Sequence, residues 1–345
     1  MKLLRLTVIF LLGVLVYIGC GDDENDYNLG GNTSKPSTNT GTNTGNNSGN
    51  NSGNNSSTDT PNANNAATQA ALARLEFPKT RSDHGSFVIV HTGKLNDENG
   101  ETGVNYSVEW DPEIHAQRWS CYQLYSSVLN KNTDRYSASN DGQMTATSQY
   151  PHDSFVASKY QFTKDPYKGS GYDHGHICPS YDRLASVESN YQTFFMTNMQ
   201  PQRNGFNAGI WAKLEVMVHD WAARYDTLYV CKGGTIDSLF VYNGDTIKHT
   251  ITYIGSKENR IPVPKYFFMA VLAYSKKAGY AAVGIWIEHN ANISEDADRS
   301  SFAISIDELE AKTGIDFFCN LPDGNEANQE GFIESNLTKS LWKWK

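Results

Sequence analysis

Between residues 171 and 180 the chain reads Gly171-Tyr172-Asp173-His174-Gly175-His176-Ile177-Cys178-Pro179-Ser180. Two imidazoles and a carboxylate fall within four residues, and neither a helical nor a strand period accounts for them. An imidazole can take a proton from water near neutral pH or bind a metal, with neighbouring backbone groups fixing its ring. Gly175, bracketed by Gly171 and Pro179, suggests a loop whose backbone angles serve to present side chains. Two chemistries fit. One histidine could act as a general base, or both could bind zinc with a third ligand from His219 or His152. A histidine-rich loop with satisfied hydrogen bonds is the plain alternative.

The elements that must position these groups can be read from the flanking pattern. Residues 86–91, 106–110 and 118–124 read as strands, the last two as an alternating pair. A polar, irregular stretch over 130–161, carrying Arg135 and His152-Asp153, leads into the histidine segment. After it, Thr193-Phe194-Phe195-Met196 reads as a buried strand that runs into Thr197-Asn198-Met199-Gln200-Pro201-Gln202. Asn207 then opens a helix with apolar residues at Ile210, Trp211, Leu214, Val218, Trp221 and Ala222. At its start Asn207 can cap the helix or turn toward a ligand, and Glu215, about 80° around an α-helix at ~100° per residue, can border the same cleft. Residues 228–231, 246–254, 265–274 and 280–288 read as strands of a sheet's central body. Ser305-Ile306-Asp307-Glu308 is a capping box, and Gly314 fits the C-cap of the short helix it opens. Strands, one main helix, strands and one short helix make an α+β domain.

Three segments in this order, Asp173-His174-Gly175-His176, Thr197-Asn198-Met199-Gln200-Pro201-Gln202 and Phe206-Asn207-Ala208-Gly209-Ile210-Trp211-Ala212-Lys213-Leu214-Glu215, resemble the DNA/RNA non-specific endonucleases of the ββα-metal fold. The resemblance covers most of 119–234 and weakens on both sides. It implies a mainly antiparallel sheet with a metal-site helix and few other helices. It further implies a metal-dependent endonuclease that hydrolyses DNA and RNA without strong sequence preference. His176 would be the general base that activates water, within a motif begun by Asp173. Asn207 would be the one direct protein ligand of a hydrated Mg2+, for which Mn2+ may substitute, and Glu215 would hold the ion's water shell. A neutral amide oxygen suits a hard cation that keeps most of its waters. The family's usual motif has arginine where this chain has His174, so a fixed positive charge is missing there. Arg183 or Arg135 could supply a guanidinium that matches phosphate geometry. Asn198 would position the His176 loop.

Composition limits the partners and divides the chain. The net charge is −9, of which residues 1–70, with three Lys or Arg against five Asp or Glu, carry −2 and the rest −7. This counts against simple electrostatic binding of nucleic acid, so a local positive cleft or divalent cations would have to overcome the repulsion. Lys2 and Arg5 precede an apolar run that ends at Gly19-Cys20, the layout of a secretory signal over 1–19. Cys20 resembles the lipidated cysteine of a bacterial lipobox, although Tyr17 is bulkier than usual there. Asp22-Asp23-Glu24 resembles a surface-export signal of Bacteroides-type lipoproteins. A tether of Asn, Gly, Ser and Thr fills the remainder of 20–70, too poor in apolar residues to offset the entropy of ordering. The expected enzyme domain is therefore 71–345, held at the cell envelope by the lipid, facing outward if the export signal acts. Cys121, Cys178, Cys231 and Cys319 allow two disulfides in three connectivities or four free thiols. A surface lipoprotein that binds glycans on an inactive nuclease scaffold is the competing function, motivated by the anchor and the many Tyr and Trp residues.

Overall fold

Strand β11 (Tyr266–Ser275) alternates two apolar sets: Phe267, Met269, Val271 and Ala273 enter one hydrophobic core, Phe268, Ala270 and Leu272 the other. A strand buried on both faces loses the polar alternation of a surface strand, which is why its sequence is nearly continuous in hydrophobicity. The computed structural model describes residues 68–345 except 82–84, 97, 139–146, 238, 243–244 and 249. The leader, Cys20 and nearly all of the tether lie outside the described residues. The single-turn helix α1 (Thr68–Ala71) begins within the stretch assigned to the tether and buries Thr68 and Ala71.

The central sheet has seven strands in the order β1 (Phe87–Lys94), β2 (Thr102–Asp111), β3 (Ala116–Leu124), β6 (Thr227–Gly234), β11, β12 (Gly279–Glu288) and β13 (Ala303–Ile304), every neighbouring pair antiparallel. One face is covered by the segments that carry the three motifs. These are the ribbon of β4 (Asp173–His176) and β5 (Met199–Gln202), the short helix α2 (Val187–Gln192), a π-helical turn at Gly205–Trp211 and α3 (Ala212–Trp221). The other face is covered by α4 (Ile306–Thr313) and α5 (Glu330–Ser335). Two further ribbons pair β7 (Leu239–Tyr242) with β8 (Asp245–Lys248) and β9 (Thr252–Ile254) with β10 (Ile261–Val263). Among the described residues no helix is long and apolar enough to cross a membrane.

The serine half of the capping box forms, the Ser305 side chain accepting the Glu308 N–H, and Gly314 ends α4 at φ 67°, where a side chain would be strained. Three expectations change. Residues 193–196 form no strand but a turn leading into a 3-10 turn at Met196–Asn198, because a four-residue apolar run does not distinguish the two. The 246–254 stretch is not one strand. It splits between β8 and β9, which pair with different partners, and apolar alternation carries no information about partner choice. The histidine segment is a paired strand rather than an irregular loop. The thiols of Cys121, Cys178, Cys231 and Cys319 are free.

Candidate active site

The β4–β5 ribbon pairs Asp173 with Gln202, Gly175 with Gln200 and His176 with Met199. Glycine is needed at 175 for space rather than for an unusual backbone angle. A Cβ there would come within 2.3 Å of the Gln202 side chain and 2.7 Å of the Gln200 carbonyl oxygen. The ribbon is fastened to the π-helical turn by Asp173, whose Oδ2 accepts from Nδ2 of Asn207 at 3.0 Å and of Asn204 at 3.2 Å. Asn207 is thus no helix cap. It lies inside the turn, with its amide nitrogen aimed at Asp173 and so its oxygen at the opposite end of the amide. The turn is kinked at Gly209 (φ −96°, ψ −117°), so the α-helical angle between Asn207 and Glu215 does not carry across it.

His176 and Asn207 are each 2% exposed. The His176 ring packs edge-to-face on Phe194 at 4.8 Å, and the exposed Arg135 places its guanidinium 4.7 Å from the centre of that same ring. Arg135 and His176 therefore share one aromatic platform. His174 does not take the place of a phosphate-binding arginine. Only 7% exposed, it is stacked between Tyr150 at 3.6 Å and Tyr167 at 4.0 Å, and its Nε2 meets both oxygens of Asp165 at 3.1 Å. Arg183 is likewise withdrawn from any ligand. At 1% exposure it donates to the carbonyls of Asn105, Asp182 and Gln123 and lies over the Tyr122 ring, tying β2 and β3 to the segment after the motif.

Asn198 holds the turn that follows His176. Its Nδ2 donates to the Cys178 and Thr193 carbonyls at 2.8 and 2.7 Å, its Oδ1 accepts the Cys178 N–H at 2.9 Å, and its own carbonyl accepts the Ile177 N–H at 3.0 Å. Burial pushes the Cys178 thiol up to about 12, so it is an inert packing group and not a nucleophile. The neighbouring Thr197 is anchored by Asp153, which also meets His91 at 2.8 Å. Burial works to raise the Asp153 carboxyl, but the His91 ring and the Thr197 hydroxyl outweigh it and hold it below its usual range.

On α3 Glu215 is buried, and the ammonium of the buried Lys232 rests on its Oε1 at 2.5 Å and 4.9 Å above the Trp211 ring. Burial raises the Glu215 carboxyl while Lys232 draws it down, and the net shift is upward. An amide oxygen and a carboxylate, with no thiolate beside them, suit a hard hydrated cation such as Mg2+. In the β4–β5 ribbon, opposite Asp173, the fully buried Gln202 has no hydrogen-bond partner for either amide atom among the described residues, and a buried amide of this kind calls for a partner such as water or an ion. A zinc centre on the two motif histidines does not fit. Among the described residues neither His174 nor His176 belongs to a group of three His, Cys, Asp or Glu ligand atoms close enough for one ion. The spare histidines are engaged elsewhere, His219 with Asp182 at 2.8 Å and His152 with the Phe162 carbonyl at 2.7 Å.

Sequence reasoning missed Lys232, Arg203, Asp165 and His289. A lone lysine inside the apolar strand that precedes Gly233-Gly234 was the signal for Lys232. Arg203 lies between two quoted motifs. It is exposed and stacks its guanidinium 5.1 Å from the Tyr172 ring, beside Asn204 and Asp173. Its N–H is accepted by Nε2 of His289 at 2.8 Å, and Nδ1 of His289 donates to the Pro264 carbonyl at 2.9 Å. Both bonds are made by a neutral imidazole, and burial pushes His289 down to about 4, the Arg203 charge adding to the effect.

With this geometry in view, the family profile described as DNA/RNA non-specific endonuclease matches residues 85–324. The chain is 26% identical over 271 residues to a nuclease of Syncephalastrum racemosum, covering 76% of this chain and 81% of that one. It is 31% identical over 218 residues to nuclease C1 of Cunninghamella echinulata, covering 63% and 81%. A crystal structure of the EndoG/EndoGI complex shares the fold, with a TM-score of 0.55 at 21% identity over 73% of this chain and 92% of that one. The fold is the α+β ββα-metal nuclease fold, and the chain belongs to the DNA/RNA non-specific endonuclease family.

Proposed function

We propose that this protein is an envelope-anchored, Mg2+-dependent endonuclease that hydrolyses both DNA and RNA, with His176 as general base. The observation that carries the reading is the 3.0 Å hydrogen bond from Asn207 to Asp173, which fastens the histidine-bearing strand to the asparagine-bearing turn. Asp173 orients the Asn207 amide so that its oxygen can hold the cation, with Glu215 supporting the cation's waters. A bound Mg2+ would neutralise the phosphate and stabilise the leaving 3′ oxygen. His176, its ring set by Phe194, takes the proton of the attacking water. Arg135 and Arg203, both exposed, supply guanidinium groups that offset the acidity of the whole chain for a polyanion. They contact phosphate rather than bases, so the reading predicts weak sequence preference and steep salt dependence.

In the same reading Cys20 carries the lipid, and the segment up to about residue 70 spaces the enzyme from an outer membrane. Two measurements test these parts. In the full-length chain, Asn207→Ala is expected to lose at least 100-fold in cleavage rate and to lose its calorimetric Mg2+ response. Unchanged cleavage and unchanged Mg2+ binding would refute the metal assignment. Cys20→Ala is expected to move the protein from the membrane to the soluble fraction, and retention in the membrane would refute lipidation.

A further inference from the structure

Across the central sheet from the candidate active site, α4 and α5 cover the face formed by Phe268, Ala270 and Leu272 of β11. Asp307 and Glu310, three residues apart on α4, share one side of that helix, and Glu334 faces them from α5. One carboxylate oxygen of each lies within 4.8 Å of the other two. Glu334 is 7% exposed, and its Oε1 is enclosed with no hydrogen-bond partner among the described residues. A buried carboxylate oxygen left without a donor is costly, so this arrangement calls for a ligand. Glu310 is fixed in place by the Phe317 N–H, which donates to its Oε1 at 2.7 Å. Protein cations do not answer the cluster. Among the described residues none of the three carboxylates is in an ion pair with lysine or arginine, Lys312 of α4 pairs with Glu308 instead, and Lys79 pairs with Asp316 at 3.5 Å.

We propose that Asp307, Glu310 and Glu334 form a structural Ca2+ site that clasps α5 to α4, separate from the catalytic metal. The donors are all carboxylate oxygens from three side chains, the set preferred by a hard cation with a flexible shell of roughly 6–8 ligands. Oxygens bound at about 2.3–2.6 Å stand up to about 5 Å apart across such an ion, which the observed spacing meets. The rival is a retained proton. Burial first, then the carboxylates of Glu310, Glu330, Asp307 and Asp316, push Glu334 up to about 9, and a proton there would relieve the crowding without any cation.

Calorimetric titration of CaCl2 at neutral pH separates the two, using the full-length chain with Asn207→Ala so that the candidate active site is silent. The expected result is one Ca2+ bound per chain, with a thermal midpoint that rises with Ca2+. Adding Glu334→Gln should weaken binding at least tenfold and abolish the rise. That variant should fold, because it replaces a crowded buried carboxylate by an amide. Asp307→Asn, at an exposed position, should weaken binding in the same direction. Absence of Ca2+ binding in the Asn207→Ala chain, or binding unchanged by both substitutions, would overturn the site in favour of the proton.

Discussion

Replacing Lys232 by Met removes the ammonium from the Glu215–Lys232 pair while keeping a side chain of similar length, so the variant isolates the charge. Lys232 is 1% and Glu215 9% exposed, and breaking a buried pair from one side costs about 3–5 kcal/mol because the other charge is left uncompensated. The ammonium's position over Trp211 adds about 0.5–2 kcal/mol. The loss depends on pH in a definite sense. Glu215 already titrates above the usual carboxylate range because of burial, and losing Lys232 raises it further. A carboxyl raised in the folded state contributes stability that is fully present below its unfolded pKa and lost as pH rises through its folded one. The variant should therefore be least destabilised near pH 4 and most destabilised at pH 8. Urea unfolding in EDTA reads this directly. With a slope of about 3 kcal/mol/M, the midpoint at pH 8 should fall by about 1 M or more. Millimolar Mg2+ should recover part of the loss, since a cation beside Glu215 takes over the neutralising role of the ammonium. A fall of less than about 1 kcal/mol, or one equal at both pH values, would refute the claim that this pair is a desolvated, mutually dependent unit.

Three further outcomes follow from the same geometry. Asp173→Ala removes both bonds that fasten the ribbon to the π-helical turn and should reduce cleavage about 10–100-fold while costing about 2 kcal/mol of stability, as measured by paired rate and urea assays. Asn198→Ala deletes three buried side-chain bonds to backbone groups of residues 178 and 193 and should cost about 3 kcal/mol in urea unfolding. His289, held at about 4 by burial, binds fewer protons than the unfolded chain between that value and 6.5. Stability should therefore fall by about 3 kcal/mol as pH drops through that window, and His289→Gln should flatten the slope of the pH–stability curve there.

Much of this was legible because the signals are local. The Ser305 cap and the Gly314 stop are matters of one residue's hydrogen bond and one residue's φ, so sequence fixes them. The three motifs keep their order along the chain, and the structure brings two of them together, the strand that carries His176 and the turn that carries Asn207, through the Asn207–Asp173 bond. What failed depends on contacts that no local spacing pattern records. Nothing near His174 indicates that Tyr150, Tyr167 and Asp165 enclose it, and nothing near Arg183 indicates that the carbonyls of Asn105 and Gln123 take up its guanidinium. Apolar spacing predicts an ordinary α-helix where the π-helical turn lies, because it does not record one extra residue per turn. The strand expected over 228–231 stops one residue short of Lys232, although a charge at that position can be tolerated only with a buried opposite charge such as Glu215.

The most direct test of the catalytic assignment is cleavage of plasmid DNA and total RNA by the full-length chain, with Mg2+ and with EDTA, beside His176→Ala. Cutting of both polymers that requires the metal and falls at least ~100-fold in the variant is the predicted result. Cutting that persists in EDTA, or that survives loss of the imidazole, would contradict it.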